Sequence, residues 1–309
     1  MTLSPQNPLQ VFDRRAVREH RDRAATTIDD HSFLLDTVAS QLAERLGEIN
    51  RQFPTALDLG SHTGQLRDHL HGRNGIETLI HSDLSPTMAI RADGPPKNPG
   101  LAADEEWLPF ADQSLDLVIS CLGLHWVNDL PGTLTQIQRA LKPDGLFLAA
   151  LLGGETLKEL RQALSAAELD EEGGMSPRVS PFVDVRDAGD LLQRAGFTLP
   201  LADLDTLTVS YPNAFKLMAD LRAMGETNAV IERRKSLSRR STLMATAQKY
   251  LELFADSEGR IPATFQVIYL TAWAPHPDQQ KALKPGTATS RLANALEAEE
   301  IAAGEKAKP

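Results

Sequence analysis

The 309-residue chain is 41% hydrophobic, enough for a real core in one large domain or two modest ones. Its formal net charge of −10 argues against a nucleic-acid-binding surface, which needs Lys and Arg to meet phosphates. A lone cysteine, Cys121, excludes an intramolecular disulfide, and no apolar run is long enough to span a bilayer.

Residues 11–25 read as a charged helix. Arg14, Arg15, Arg18, Arg21 and Arg23 would suit a mitochondrial presequence, but Asp13, Glu19 and Asp22 interleave with them, and presequences are poor in acids. A signal-peptide core is also missing, so a soluble, cytoplasmic bacterial protein is expected. Residues 33–49 read as an amphipathic helix, with Leu34, Leu35, Val38, Leu42, Leu46 and Ile49 near helical spacing.

Residues 55–64, TALDLGSHTG, carry the strongest signal. An apolar strand ends at Asp58, and Gly60, His62 and Gly64 stand in the turn before a helical pattern at 65–70. Glycines let the backbone turn sharply and approach a ligand. An open α/β sheet builds nucleotide-type cofactor sites at such a turn, although the turn alone also occurs in folds without a ligand. Asp58 is either a cofactor anchor or a buried carboxylate that caps the turn amides. Residues 77–83 read as a second strand ending at Asp83, placed where doubly wound folds grip a ribose diol. Its other reading is an N-cap for the helix starting at Ser85-Pro86. A Pro/Gly-rich loop follows at 93–100.

Strand patterns at 115–120 and 145–151 are apolar nearly throughout, as buried parallel strands are. Cys121 follows the first of them as an inert core thiol. A helix at 130–141, entered through Pro131, lies between them. Farther on come helices at 155–169 and 187–195, the latter closed by Gly196, then a strand at 204–211. Helices follow at 215–224 and 241–255, and an antiparallel β run at 264–273 is expected to end the sheet. The basic run Arg233-Arg234-Lys235 with Arg239-Arg240 reads as a solvated helix face. Beyond Pro275 the composition predicts a mobile tail.

This order of strands, glycine turn and acidic strand ends resembles the class I S-adenosylmethionine-dependent methyltransferases. It is not a dinucleotide fingerprint, because Arg67 falls where a third glycine is due. The expected fold is α/β, a doubly wound, mostly parallel seven-stranded Rossmann-like sheet with an N-terminal helical extension. The corresponding parts are N-terminal helices at 1–50 covering the cofactor pocket, a cofactor-binding core at 51–155, substrate-side helices and last strands at 156–275, and the tail at 276–309.

The resemblance implies S-adenosylmethionine as cofactor, with Asp58, Gly60, His62, Gly64, Asp83, Met88, Asp104 and Leu122 around it. His62 departs from the family, which usually has glycine there; its side chain either narrows the methionine end of the pocket or points outward. Asp104 would accept from the adenine amino group, whereas Glu105 and Glu106 are expected in solvent. Met88 packs on adenine or in the core. His125 and Trp126 follow the fourth strand, the place that faces the transferred methyl group. His125 is thus the candidate base or substrate contact, with a hydrogen-bonded packing histidine as the alternative.

Several segments are more particular: VFDR at 11–14, ADEEWLPF at 103–110, LHWVNDLP at 124–131, LGGETL at 152–157, ELR at 159–161, GGMSP at 173–177, DLRAMGETN at 220–228 and PATFQ at 262–266. Together they resemble the methyltransferase-fold assembly factors of respiratory complex I over nearly the whole chain. The malonyl-carrier O-methyltransferases of biotin synthesis are a more distant likeness. The resemblance implies an enzyme acting on a protein partner in complex I assembly, and its mitochondrial member is associated with hydroxylation of an arginine in the quinone-site subunit. A small-molecule or carrier methyltransferase and a non-catalytic chaperone remain open. Arg222, Glu226 and Asn228 face a substrate or partner, or form a structural salt link. A metal-dependent hydroxylase would want two histidines and a carboxylate; His69 and His71, two apart on a helix, face different sides, and no metal is expected.

Overall fold

The computed structural model describes residues 10–70, 72–93, 99–280 and 292–298. It divides into two units, Met1–Pro275 and His276–Pro309. The larger unit carries seven strands: Thr55–Leu59 (β1), Thr78–Asp83 (β2), Gly100–Ala102 (β3), Leu115–Cys121 (β4), Leu141–Leu152 (β5), Thr198–Tyr211 (β6) and Ile261–Trp273 (β7). They form one sheet in the order β3-β2-β1-β4-β5-β7-β6. The first five pair in parallel; β7 runs antiparallel to both β5 and β6. The last strand in the chain therefore does not form the sheet's edge, because β6 pairs outside it.

Helices Arg14–Ala24 (α1), Phe33–Gly47 (α2), Gln65–Leu70 (α3), Pro86–Ala92 (α4) and Leu130–Ala140 (α5) belong to the first half. Lys158–Glu172 (α6), Val185–Arg194 (α7), Ala214–Met224 (α8) and Arg240–Phe254 (α9) belong to the second. Side chains alternate across the sheet, as a strand with period two requires. Along β5, Leu146, Leu148, Ala150 and Leu152 join the apolar layer formed with α2, α6 and α8. Phe147, Ala149 and Leu151 join the opposite layer, formed with α5 and α7. Burial on both faces explains why these strands read as continuous apolar runs.

Local chemistry fixes the ends of these helices. The Asp129 side chain caps α5 through the Gly132 amide at 2.8 Å, with Pro131 in the first turn. Gly196, at φ 88°, closes α7 in the left-handed region, and the Phe197 amide donates back to Leu192 at 3.1 Å. The helix expected at 155–169 starts later, because Gly153, Thr156 and Leu157 are first bonded to β7.

The basic run at 233–240 is not a solvated helix face. Only Arg240 is helical; Arg233 reaches Asp13 and Arg234 reaches Glu172, so these charges tie a loop to the body. Cys121 is buried, and burial pushes its thiol well above the ordinary range. His71, residues 94–98 of the loop expected at 93–100 and most of the tail lie outside the described residues. In the smaller unit, Leu292–Ala295 (α10) is helical. No helix among the described residues is long and apolar enough to cross a membrane.

Candidate cofactor cradle and substrate cavity

The sheet order reverses between β1 and β4, and their carboxyl ends carry Gly60 and Gly123, packed against each other. Gly60 has φ 72°, and a Cβ added there would meet the Gly123 Cα at 3.1 Å. Open α/β sheets bind ligands at this switch point. The Gly60 and Ser61 amides are held by the Ser82 carbonyl of β2, at 2.8 and 3.0 Å. His62 and Leu122, each in the turn after its strand, have φ 48° and 51°. Backbone strain of this kind in non-glycine residues costs on the order of 1–3 kcal/mol and collects at functional sites. Gly60→Ala combines that strain with the 3.1 Å contact. We expect it to lower stability in urea by about 1–3 kcal/mol, more than Ala at Gly154, which has no neighbour within 4 Å.

Each residue assigned to the cofactor from the sequence now has a place. Asp58 is buried and accepts from His81 Nδ1 at 3.0 Å, while its Oδ1 has no hydrogen-bond partner. Asp83 is fully buried at the end of β2. Its oxygens accept from the His62 amide at 3.0 Å, the Ser85 amide at 2.8 Å and Arg21. The N-cap of α4 is Ser85, through the Met88 amide at 3.1 Å, rather than Asp83. Met88 and Leu122 are buried within the apolar layer that also holds α2. Gly64, at φ 90°, leads into α3. His62 is buried with neither ring nitrogen bonded; burial, then Arg21, pull its imidazole below the ordinary value.

The acidic triplet at 104–106 differs from expectation. Asp104 is partly exposed, Glu105 is fully buried, and Glu106 is enclosed by Arg14 and Asn128. The reason lies in α1. Arg14 and Arg21 stand seven residues apart on the face that also carries Val17 and Ala24, and both turn inward. Arg14 pairs with Asp104 and Glu105 and donates to the Trp126 carbonyl at 3.1 Å. Arg21 Nη1 lies 2.6 Å from Glu105 and 3.3 Å from Asp83. Burial acts to raise the Glu105 carboxyl, but Arg21 and Arg14 overcome it and hold it down at about 2. Asp83, with the longer contacts to Arg21, is lifted above the usual range by burial.

A carboxyl depressed on folding stabilises fully above its ordinary value of 4.5 and loses that contribution as pH falls toward about 2. The thermal midpoint of the wild type should therefore drop toward that of Glu105→Gln between those limits. Thermal unfolding scans of both chains across this window check it.

Sequence reasoning missed Glu226 as the partner of His125. Gly225, at φ 87°, ends α8, and the next residue turns back toward the sheet. His125, buried in the short 3-10 turn Leu124–Trp126, places Nε2 3.0 Å from Glu226, and Trp126 Nε1 donates to the same carboxylate at 3.4 Å. Burial opposes ionisation of Glu226, yet His125 prevails and holds its carboxyl below the usual range. His62 and Arg21 add to that field, linking the glycine turn to Glu226. A cavity of about 400 Å³ opens beside this pair. Leu152, Leu160, Phe182 and Phe265 form its apolar wall, and Arg222, Glu226 and Asn228 its polar edge. Asn228 is also tied to Pro177 through its side chain at 2.8 Å.

A family model described as a methyltransferase domain matches residues 57–149. The chain is 41% identical over 297 residues to "Arginine-hydroxylase NDUFAF5, mitochondrial" of Danio rerio, covering 95% of this chain and 92% of that one. It is 36% identical over 275 residues to a malonyl-[acyl-carrier protein] O-methyltransferase of Methylovorus sp. (strain MP688), covering 86% and 90%. Among solved structures it is similar to a putative methyltransferase from Bacillus halodurans C-125, with TM-score 0.55, 14% identity and 78% and 100% of the two chains covered. A Haemonchus contortus phosphoethanolamine N-methyltransferase 2 in complex with S-adenosyl-L-methionine gives TM-score 0.52, 16% identity, and 84% and 60%. These two structures carry the fold alone.

The expectation of a cytoplasmic bacterial protein is overturned by the relatives named as mitochondrial. The acids that argued against a presequence are accounted for otherwise, since Glu19 and Asp22 pair with Arg15 and Arg18 along α1. The seven-stranded, mostly parallel sheet, the methyltransferase domain and the identity over most of the chain agree, and the chain belongs to the NDUFAF5 family of methyltransferase-domain proteins.

Proposed function

We propose that this protein is an S-adenosylmethionine-binding enzyme that modifies a protein side chain during respiratory complex I assembly. The observation that carries the reading is the pairing of His125 with Glu226 at the rim of an apolar cavity, next to the glycine turn at the β1–β4 switch point. The identity to relatives named as arginine hydroxylases supports it. The residues of the turn suit the cofactor: Asp58 Oδ1, Ser61 Oγ, Ser82 Oγ and both His62 nitrogens are buried without hydrogen-bond partners. Buried polar groups seldom stay unpaired in the working form of a site.

When bound, S-adenosylmethionine supplies a methyl group activated by its sulfonium. Asp83 would hold the ribose and Asp104 the adenine edge. His125 would receive a proton from the acceptor, with Glu226 orienting its ring and balancing its charge. The cavity wall keeps water away from the reacting atoms and positions a side chain for attack. Hydroxylation of an arginine, the activity in the relatives' names, is the alternative modification at the same side chain, and it would draw its oxygen from an oxidant other than the sulfonium.

Peptide mass spectrometry of the quinone-site complex I subunit, from cells with and without this gene, tests the proposal. A missing oxygen on an arginine peptide supports hydroxylation, and a missing methylene supports methyl transfer. No difference on any complex I subunit overturns the reading. The 36% identity to a carrier-protein methyltransferase favours a second reading, methylation of a carrier-bound acid, in which the change appears on that acceptor instead.

A further inference from the structure

The seat expected for the ribose is already filled by the chain itself. Arg21 is 2% exposed, and its Nη1 lies 3.3 Å from each oxygen of Asp83. The Ser85 amide donates to Oδ1 and the His62 amide to Oδ2, so both oxygens are engaged within the protein. A ribose diol would need those oxygens as acceptors, and a guanidinium and a diol compete for the same lone pairs. Arg21 is fixed there by a shorter bond, 2.6 Å to Glu105 Oε1. That oxygen lies 3.6 Å from where a Cβ would stand on Gly60, so the ion pair also covers the glycine turn.

The arrangement of α1 is that of a separable cover. Phe12, Ala16 and Val17 pack in a small apolar cluster with Trp126, Ala229 and Val230, apart from the two main layers. Ala24 and Ala25, at its far end, belong to the main core. Withdrawal of Arg21, one turn before that anchored end, therefore takes the helix from Arg14 onward and releases Arg14 from Asp104 and Glu105, but opens neither large layer.

Resting on the reading of S-adenosylmethionine as cofactor, we propose that Arg21 governs access to the cradle: its guanidinium stands in the place of the ribose, and the cofactor binds only when α1 withdraws it. Removal of Arg21 leaves Asp83 and Glu105 facing each other without their shared cation. That cost keeps the cover closed in the absence of ligand. The observed affinity is then the intrinsic affinity reduced by the fraction of open molecules.

The test is calorimetric titration of S-adenosylmethionine into the full chain, wild type, Arg21→Gln and Glu105→Gln, with hydrogen exchange of the α1 amides. Glu105→Gln removes the negative charge that holds Arg21 most closely and leaves Asp83 in place, which guards against a folding defect peculiar to one variant. Both variants are expected to bind about 10- to 100-fold more tightly than wild type, and ligand should speed exchange across the first two turns of α1 in wild type. Equal or weaker binding by both variants, when they unfold as cooperatively as wild type, overturns the proposal and leaves the cofactor reading standing. So does slower α1 exchange on binding. No binding by any of the three chains takes down the cofactor reading and this proposal together.

Discussion

Replacing Asp83 by Ala should weaken S-adenosylmethionine binding by at least about tenfold, because charge-assisted bonds to the diol are each worth roughly 1.5–3 kcal/mol. Part of that loss is offset, since the same change releases Arg21 from one of its two carboxylates. The same substitution also reaches the fold. Asp83 accepts two backbone amides and a fully buried guanidinium. Breaking one side of a buried ion pair costs about 3–5 kcal/mol. Asp83→Asn keeps the volume and one acceptor oxygen, so it should fall between wild type and Ala in urea denaturation. Calorimetric titration of both folded variants checks the binding half of the expectation. Unchanged affinity would remove Asp83 from the cofactor site.

The strands of this protein were legible because burial on two faces writes itself into composition. Residues 115–120 and 145–151 are apolar nearly throughout, and both became central strands. The glycine turn was legible for a similar reason, since only glycine tolerates φ 72° with a neighbouring backbone at 3.1 Å. The state of the acidic triplet was not. Asp-Glu-Glu reads as a solvated turn until two arginines, more than eighty residues earlier in the chain, arrive from α1. A trace of this was present: Arg14 and Arg21 share the helical face of Val17 and Ala24, where apolar residues are the norm. His125 was visible as a candidate, but its partner was not, because the Glu226 contact spans 101 positions and depends on the left-handed Gly225. The same long-range closure built the cavity from α6, α8 and β7, elements whose apolar faces say what is buried but not what space remains between them.

That closure makes Glu226 the second place where one atom type decides a large effect. Glu226→Ala should reduce side-chain modification by roughly 10²–10⁴-fold, the range that a positioned general base contributes. Two donors, His125 Nε2 and Trp126 Nε1, would lose their acceptor in a mostly buried setting. Stability should fall by about 1–3 kcal/mol, the cost of leaving such a group unsatisfied. Glu226→Gln separates the two consequences, because it keeps the shape and one acceptor but not the charge. If the carboxylate only anchors the turn, Gln should restore both stability and modification. If its charge supports an imidazolium at His125, Gln should fold like wild type and still modify its target poorly, with the defect in kcat rather than KM. Quantitative mass spectrometry of the modified peptide, in cells carrying each variant at matched protein level, distinguishes the two. Because burial alone would push the Glu226 carboxyl up and His125 holds it down, the protein maintains a charge at this point against the natural tendency of an apolar cavity.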